Sequence, residues 1–141
     1  MKKISDAKAI RVCFAALLIF FVGLAMGCEA KKMTDPKAEL QTVAADYWDK
    51  RLMEKDYKAT YKMEMGNDAV PYEEYLKRAK NFGQIGYMKI EIKDVTVDQG
   101  KGSLVVRVIC NIPAVPKPMP LKIHDSWVVD KNRWKHVMPK K

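Results

Sequence analysis

The hydrophobic period changes once along this chain, from three and four before Gly86 to two after it, which restricts the fold to helices first and strands second. Leu40, Val43, Ala44, Tyr47 and Arg51 recur at helical spacing behind Asp35-Pro36, an N-cap followed by a proline that a first turn tolerates. Trp48 and Leu52 widen this stripe, which turns polar at Arg51. Asp56 is placed to cap a second, short helix with Tyr57 and Tyr61 one turn apart, ended by Gly66-Asn67-Asp68. A third helix is expected over residues 71–82, with Tyr72, Tyr75, Leu76 and Ala79 on one side and Gly83 as its stop.

Beyond Gly86, Met88, Ile90 and Ile92 alternate onto one face, whereas Val95 and Val97 have the opposite parity; a β-bulge near Lys93-Asp94 would restore them. Gln99-Gly100-Lys101-Gly102 is a turn into a strand over residues 104–112, closing a hairpin. Pro113, Pro116, Pro118 and Pro120 cannot donate regularly to a ladder, so residues 113–120 are expected to form a loop or a poorly paired edge. Residues 121–129 and 134–138 make a second hairpin, whose register would set Val129 opposite Trp134, Trp127 opposite His136 and Asp125 opposite Met138. The whole reads as one α+β domain, residues 36–141, with N-terminal helices on an antiparallel sheet.

Asp125 shares its expected face with Leu121, Ile123, Trp127 and Val129, and a buried carboxylate without a partner would be neutralised or strongly shifted. Asp125 is therefore the leading candidate pocket residue, with Trp127 and His136 on the same expected face of the hairpin. The competing reading pairs Asp125 with a cation such as Arg51, or leaves it at an exposed strand end, and makes His136 a hydrogen-bonded core residue. Tyr47, Tyr57, Tyr61, Tyr72 and Tyr75 lie at helical spacing and read as core in preference to an aromatic box. His124 has solvent parity beside Lys122 and Ser126.

No His-x-x-x-His, Cys-x-x-Cys or carboxylate cluster stands at ligand spacing, so neither a metal nor a cofactor is expected. Gly100 and Gly102 belong to a hairpin turn and not to a phosphate loop. Cys110 shares parity with Leu104, Val106 and Val108 and reads as a small core hydrophobe. Val115, Met119 and the neighbouring prolines form an apolar loop suited to a partner surface or a flap, with folding down and packing as the equal alternative. Acids and bases interleave along the helices, as in Lys50-Arg51-Leu52-Met53-Glu54-Lys55-Asp56, so the net charge of +9 describes a solvated surface and nucleic acid is not an expected partner.

At the N-terminus, Lys2, Lys3, Lys8 and Arg11 precede an uncharged apolar run over residues 12–25, shorter than the roughly 20 residues a spanning helix needs. The run closes on Leu24-Ala25-Met26-Gly27-Cys28. This segment resembles a bacterial lipoprotein signal with its lipobox, although the leucine sits one residue earlier than usual. The resemblance implies removal of residues 1–27, lipidation of the Cys28 sulfur with palmitate-type acyl chains, a tether over residues 28–35 and contact with membrane lipid in the cell envelope. Glu29 in place of Asp then favours the periplasmic side of the outer membrane over the inner membrane; retention of the segment as an uncleaved span is the alternative.

Four stretches, Ala45-Asp46-Tyr47-Trp48, Lys55-Asp56-Tyr57 with Tyr61, Tyr72-Glu73-Glu74-Tyr75-Leu76, and Trp127-Val128-Val129-Asp130 through Arg133-Trp134, occur in an order that resembles the nuclear transport factor 2-like (cystatin-like, ketosteroid isomerase-like) fold over nearly all of residues 36–138. That resemblance implies a curved antiparallel sheet forming a cone whose mouth holds a ligand or an active site. Three functions follow as expectations. The first is a non-catalytic, membrane-anchored binding domain for a small apolar ligand or an envelope protein. The second is an isomerase- or cyclase-type enzyme with Asp125 as base, helped by His136 or Tyr47. The third is an assembly component of an envelope machine that binds through residues 113–120.

Overall fold

A computed structural model of the chain describes residues 35–80 and 85–139. The signal segment, Cys28, the tether to Thr34 and the expected helix end at Phe82 and Gly83 lie outside the described residues. All described residues belong to one compact unit, Met33–Lys141.

Helix α1 (Pro36–Asp49) starts where the Asp35 side chain accepts hydrogen bonds from the amides of Lys37 and Ala38, both at 3.1 Å, with proline in the first turn. Its core face buries Leu40, Ala44, Tyr47 and Trp48. The helix then widens into one π-helical turn, Lys50–Glu54, stopped by Lys55 in the left-handed region at φ 58°. This wide turn keeps both Arg51 and Leu52 buried, although they are adjacent in sequence. Helix α2 (Tyr57–Met63) is capped by Asp56 Oδ1, which accepts from the Ala59 amide at 3.0 Å. A 3₁₀ turn, Asn67–Ala69, follows Gly66, whose φ of 70° suits glycine. Helix α3 (Tyr72–Ala79) has Glu73 and Glu74 in its first turn and Lys77 and Arg78 in its last, matching the helix dipole at both ends.

Strands β1 (Gly86–Asp98), β2 (Lys101–Asn111), β3 (Met119–Asp130) and β4 (Arg133–His136) form one antiparallel meander in sequence order. The fold is thus α+β, with three helices packed on a four-stranded antiparallel sheet. The register of β1 against β2 shifts between Lys93 and Thr96, with Asp94 at φ 52°, which is the bulge that the parity change required. Val95 consequently joins Leu104, Val106, Val108, Trp127 and Trp134 against α1 in the core. Gly102 lies under Leu40 and Trp134; a Cβ there would overlap Leu40 Cδ2 and come within 3.2 Å of Trp134 Cζ3.

Three local expectations are corrected. Met88 is exposed because a further register shift between Tyr87 and Lys89 turns Tyr87 and Ile90 toward the core in its place. Pro120 belongs to β3, paired with Ile109, since a strand with a neighbour on only one side has room for a residue without an amide donor. Asp125 does not face Met138: β4 ends at His136, Val137 N donates to Ser126 O at 2.8 Å, and Met138 Sδ then receives Arg78 Nη1 at 3.7 Å.

Candidate functional site

Tyr47 and Trp48 come from α1, Arg51 from the π-helical turn, Glu64 from the end of α2, Asp125 and Trp127 from β3 and His136 from β4. Three local features bring them together. The α1 stripe aims Tyr47 and Trp48 at the sheet, the tight β3–β4 turn fixes Trp127 opposite His136, and the backbone of Glu64 bridges to His136 while the Met65 amide donates to the His136 carbonyl at 2.7 Å. Glu64, Asp125 and His136 retain only 4%, 5% and 1% of their exposure, so water supplies little compensation for their charges.

The groups compensate one another. His136 Nε2 donates to Asp125 Oδ1 at 2.8 Å and Nδ1 donates to Glu64 Oε2 at 2.7 Å. Carboxylates only accept, so an imidazole serving both needs a proton on each nitrogen and is the imidazolium. Trp48 Nε1 and Trp127 Nε1 both donate to Asp125 Oδ2, at 2.7 and 2.8 Å, and the Ser126 amide donates to Oδ1 at 3.1 Å. Tyr47 Oη donates to Glu64 Oε1, receives Arg51 Nη1 at 2.6 Å, and lies 3.2 Å from His136 Nδ1. Two carboxylates, one imidazolium and one guanidinium sum to zero charge in the interior.

Rings enclose the imidazole. Tyr47 stacks on His136 with centroids 4.5 Å apart and planes 24° from parallel, while Trp127 and Trp48 present edges at 5.4 and 6.0 Å. Burial alone would lower the pKa of His136, but its bonds to Asp125 and Glu64 outweigh burial and hold it above the usual histidine value. Burial likewise pushes Asp125 up, and the His136, Trp48 and Trp127 donors overcome it, so its carboxyl lies below the usual aspartate value. Burial raises the Tyr47 hydroxyl well above its ordinary value in spite of Arg51 beside it.

Each candidate pocket residue, Tyr47, Asp125, Trp127 and His136, is therefore in one cluster, and each is engaged by a neighbour within it. Arg51 meets Tyr47 and not Asp125, so the cation opposite Asp125 is His136. Glu64 was not a sequence candidate. It sits between Met63 and Met65 just after a helix that carries Lys58 and Lys62, a setting typical of a solvated helix end, yet the long-range bridge to His136 and the Tyr47 hydroxyl hold it inside. Tyr61, Tyr72 and Tyr75 pack as a separate ring group, with centroids 5.3–6.4 Å apart, and Tyr75 Oη donates to Thr60 Oγ1 at 2.6 Å. Cys110 is buried, and its thiol donates to the Met119 carbonyl at 3.4 Å. His124 is exposed on the outer face of β3.

Clefts open around this cluster. One of about 480 Å³ is lined by Arg51, Leu52, Lys55, Tyr57, Ala79, Lys80, Ile85 and Tyr87, with three cations and no acid among them. Another, of about 250 Å³ and mostly apolar, lies between Tyr61, Tyr75, Val137 and Met138. Among the described residues, no group of three or more His, Cys, Asp or Glu is arranged to hold a metal ion. No known protein family matches the chain, and neither does any curated protein.

Proposed function

We propose that the chain is a lipid-anchored, non-catalytic domain of the bacterial envelope that engages a protein partner through its outer surface. The observation that carries this reading is the state of Asp125: its carboxylate accepts four hydrogen bonds inside the core and keeps no position for a substrate proton. Tyr47, Trp127 and Trp134 fill the space between α1 and the sheet, where the resemblance to nuclear transport factor 2-like domains would put a ligand-holding cone. The apolar side chains left over are on the outside, with Val115 and Met119 exposed in and beside the proline-rich loop. Leu24 to Cys28 supports the anchor, as a lipobox-like ending to an apolar run.

Site-specific photocrosslinking in the envelope tests the reading. A crosslinker at Val115 or Met119 should capture a protein that one at Thr96 does not, and Cys28→Ser should move the chain out of the membrane fraction. Equal capture from all three positions, or none, would count against a partner surface here.

A second reading rests on the cleft whose described lining carries Lys55 and Lys80 and no acid, which suits a small anionic ligand with an apolar body against Leu52, Ala79 and Ile85. An anionic apolar dye such as anilinonaphthalene sulfonate should bind, and the Lys55→Glu, Lys80→Glu double variant should lose that binding. Unchanged dye affinity in the double variant excludes the cleft.

A further inference from the structure

We infer that the open edge of β3 accepts an added strand from a protein whose extended segment alternates apolar and acidic residues. This rests on the partner-binding reading above and specifies its surface. Strand β3 pairs with β2 from Cys110–Met119 to Lys101–Val128, but with β4 only from Trp127 to Asp130. After Val137 donates to Ser126, the chain leaves β3 toward Arg78, so among the described residues the run Met119, Pro120, Leu121, Lys122, Ile123, His124, Asp125 has a sheet neighbour on one side alone.

The alternation of the strand identifies the open backbone groups. Val129 N points toward β2, where it donates to Gly100 O, and Ser126 O points the other way, accepting from Val137. Even-numbered residues therefore direct their amides and carbonyls to the open side. Lys122 and His124 present both a donor and an acceptor there, and Pro120 an acceptor only.

The side chains sort by face. Met119 and Leu121 lie opposite the buried Cys110 and Val108 on the inner face, yet they remain 45% and 37% exposed. An incoming strand would cover them with its own apolar residues. On the outer face, Lys122 lies opposite Arg107 and His124 opposite Val105, beside a shallow depression of about 780 Å³ whose lining includes Lys93 and one acid, Asp94. The matching residues of an added strand should be acidic.

Two alternatives fit less well. Pairing of the 119–125 run with a second copy about a two-fold axis would centre on Lys122 facing itself, a like-charge pair. The other sheet edge, β1, is interrupted by two register shifts, which bend it and break a continuous run of open backbone groups.

The test uses the full chain and two labelled seven-residue peptides, one alternating Val and Glu and one alternating Val and Lys. The Val/Glu peptide should bind and slow amide exchange at Lys122 and His124. Lys122→Glu, an exposed change whose circular dichroism should match the parent, should weaken that peptide about tenfold or more and favour the Val/Lys peptide. Equal binding of both peptides, binding that leaves the Lys122 and His124 amides unprotected, or no binding overturns the inference. So does concentration-dependent protection of those amides without peptide, which would mean self-pairing. If the peptides fail while adducts from Val115 and Met119 persist, the edge inference falls and the partner reading stands.

Discussion

The two ends of β3 reverse the usual distribution of polarity. From Trp127 to Asp130 the strand has neighbours on both sides, and Asp125 just before this stretch sends a carboxylate inward; from Met119 to Ile123 it has one neighbour and leaves two large apolar side chains in solvent. The buried charge is tolerated because every acceptor it carries meets a donor. The exposed apolar residues have no such internal compensation, which is why the satisfied end reads as structure and the unsatisfied end is the one proposed above as a contact surface.

Removing the carboxylate should break the first end. Asp125→Ala would strand an imidazolium and two indole donors in the core, and should cost about 3–5 kcal/mol in urea unfolding. Gly102→Ala, opposite Trp127 on the neighbouring strand, should cost about 1–3 kcal/mol because the new methyl collides with buried Leu40.

Titration should sharpen the contrast. The raised pKa of His136 gives stability that is complete below the unfolded histidine value of about 6.5 and is lost as pH rises through the higher folded value. The lowered pKa of Asp125 gives stability that is present above about 3.9 and is lost as pH falls through the lower folded value. The urea midpoint should thus be highest between about pH 4 and 6.5, and His136→Gln should flatten the alkaline side. At the other end of the strand, Leu121→Ser should change unfolding by no more than about 0.5 kcal/mol while weakening partner capture. A large loss of stability there would mean that the edge is part of the core after all.

Much of the fold was legible because its signals are local. The Asp35 and Asp56 caps, the period change at Gly86 and the parity break at Lys93-Asp94 each act within a few residues, and the structure has them where the pattern puts them. The Trp127–His136 pairing followed from a short turn, and the apolar company of Asp125 marked it as anomalous. Partner identity was not legible. Glu64 reaches His136 across most of the domain, and Arg51 turns to Tyr47 because a π-helical turn, which leaves no clear trace in sequence, sets its direction. Met88 was misplaced by a second register shift that no parity change announces, since Tyr87 and Ile90 make plausible core residues in either register.

The imidazolium of His136 ties the first helices to the last strand, with contacts to Tyr47 and Glu64 on one side and Asp125 on the other. Neither half can bury its share of the network alone: Glu64 and Tyr47 lack a cation from the sheet, and Asp125 lacks the indole of Trp48. Folding should therefore be late and cooperative, waiting on contacts between residues far apart in the chain. During synthesis the helices would stay loosely packed until β4 had emerged and supplied the His136 imidazolium.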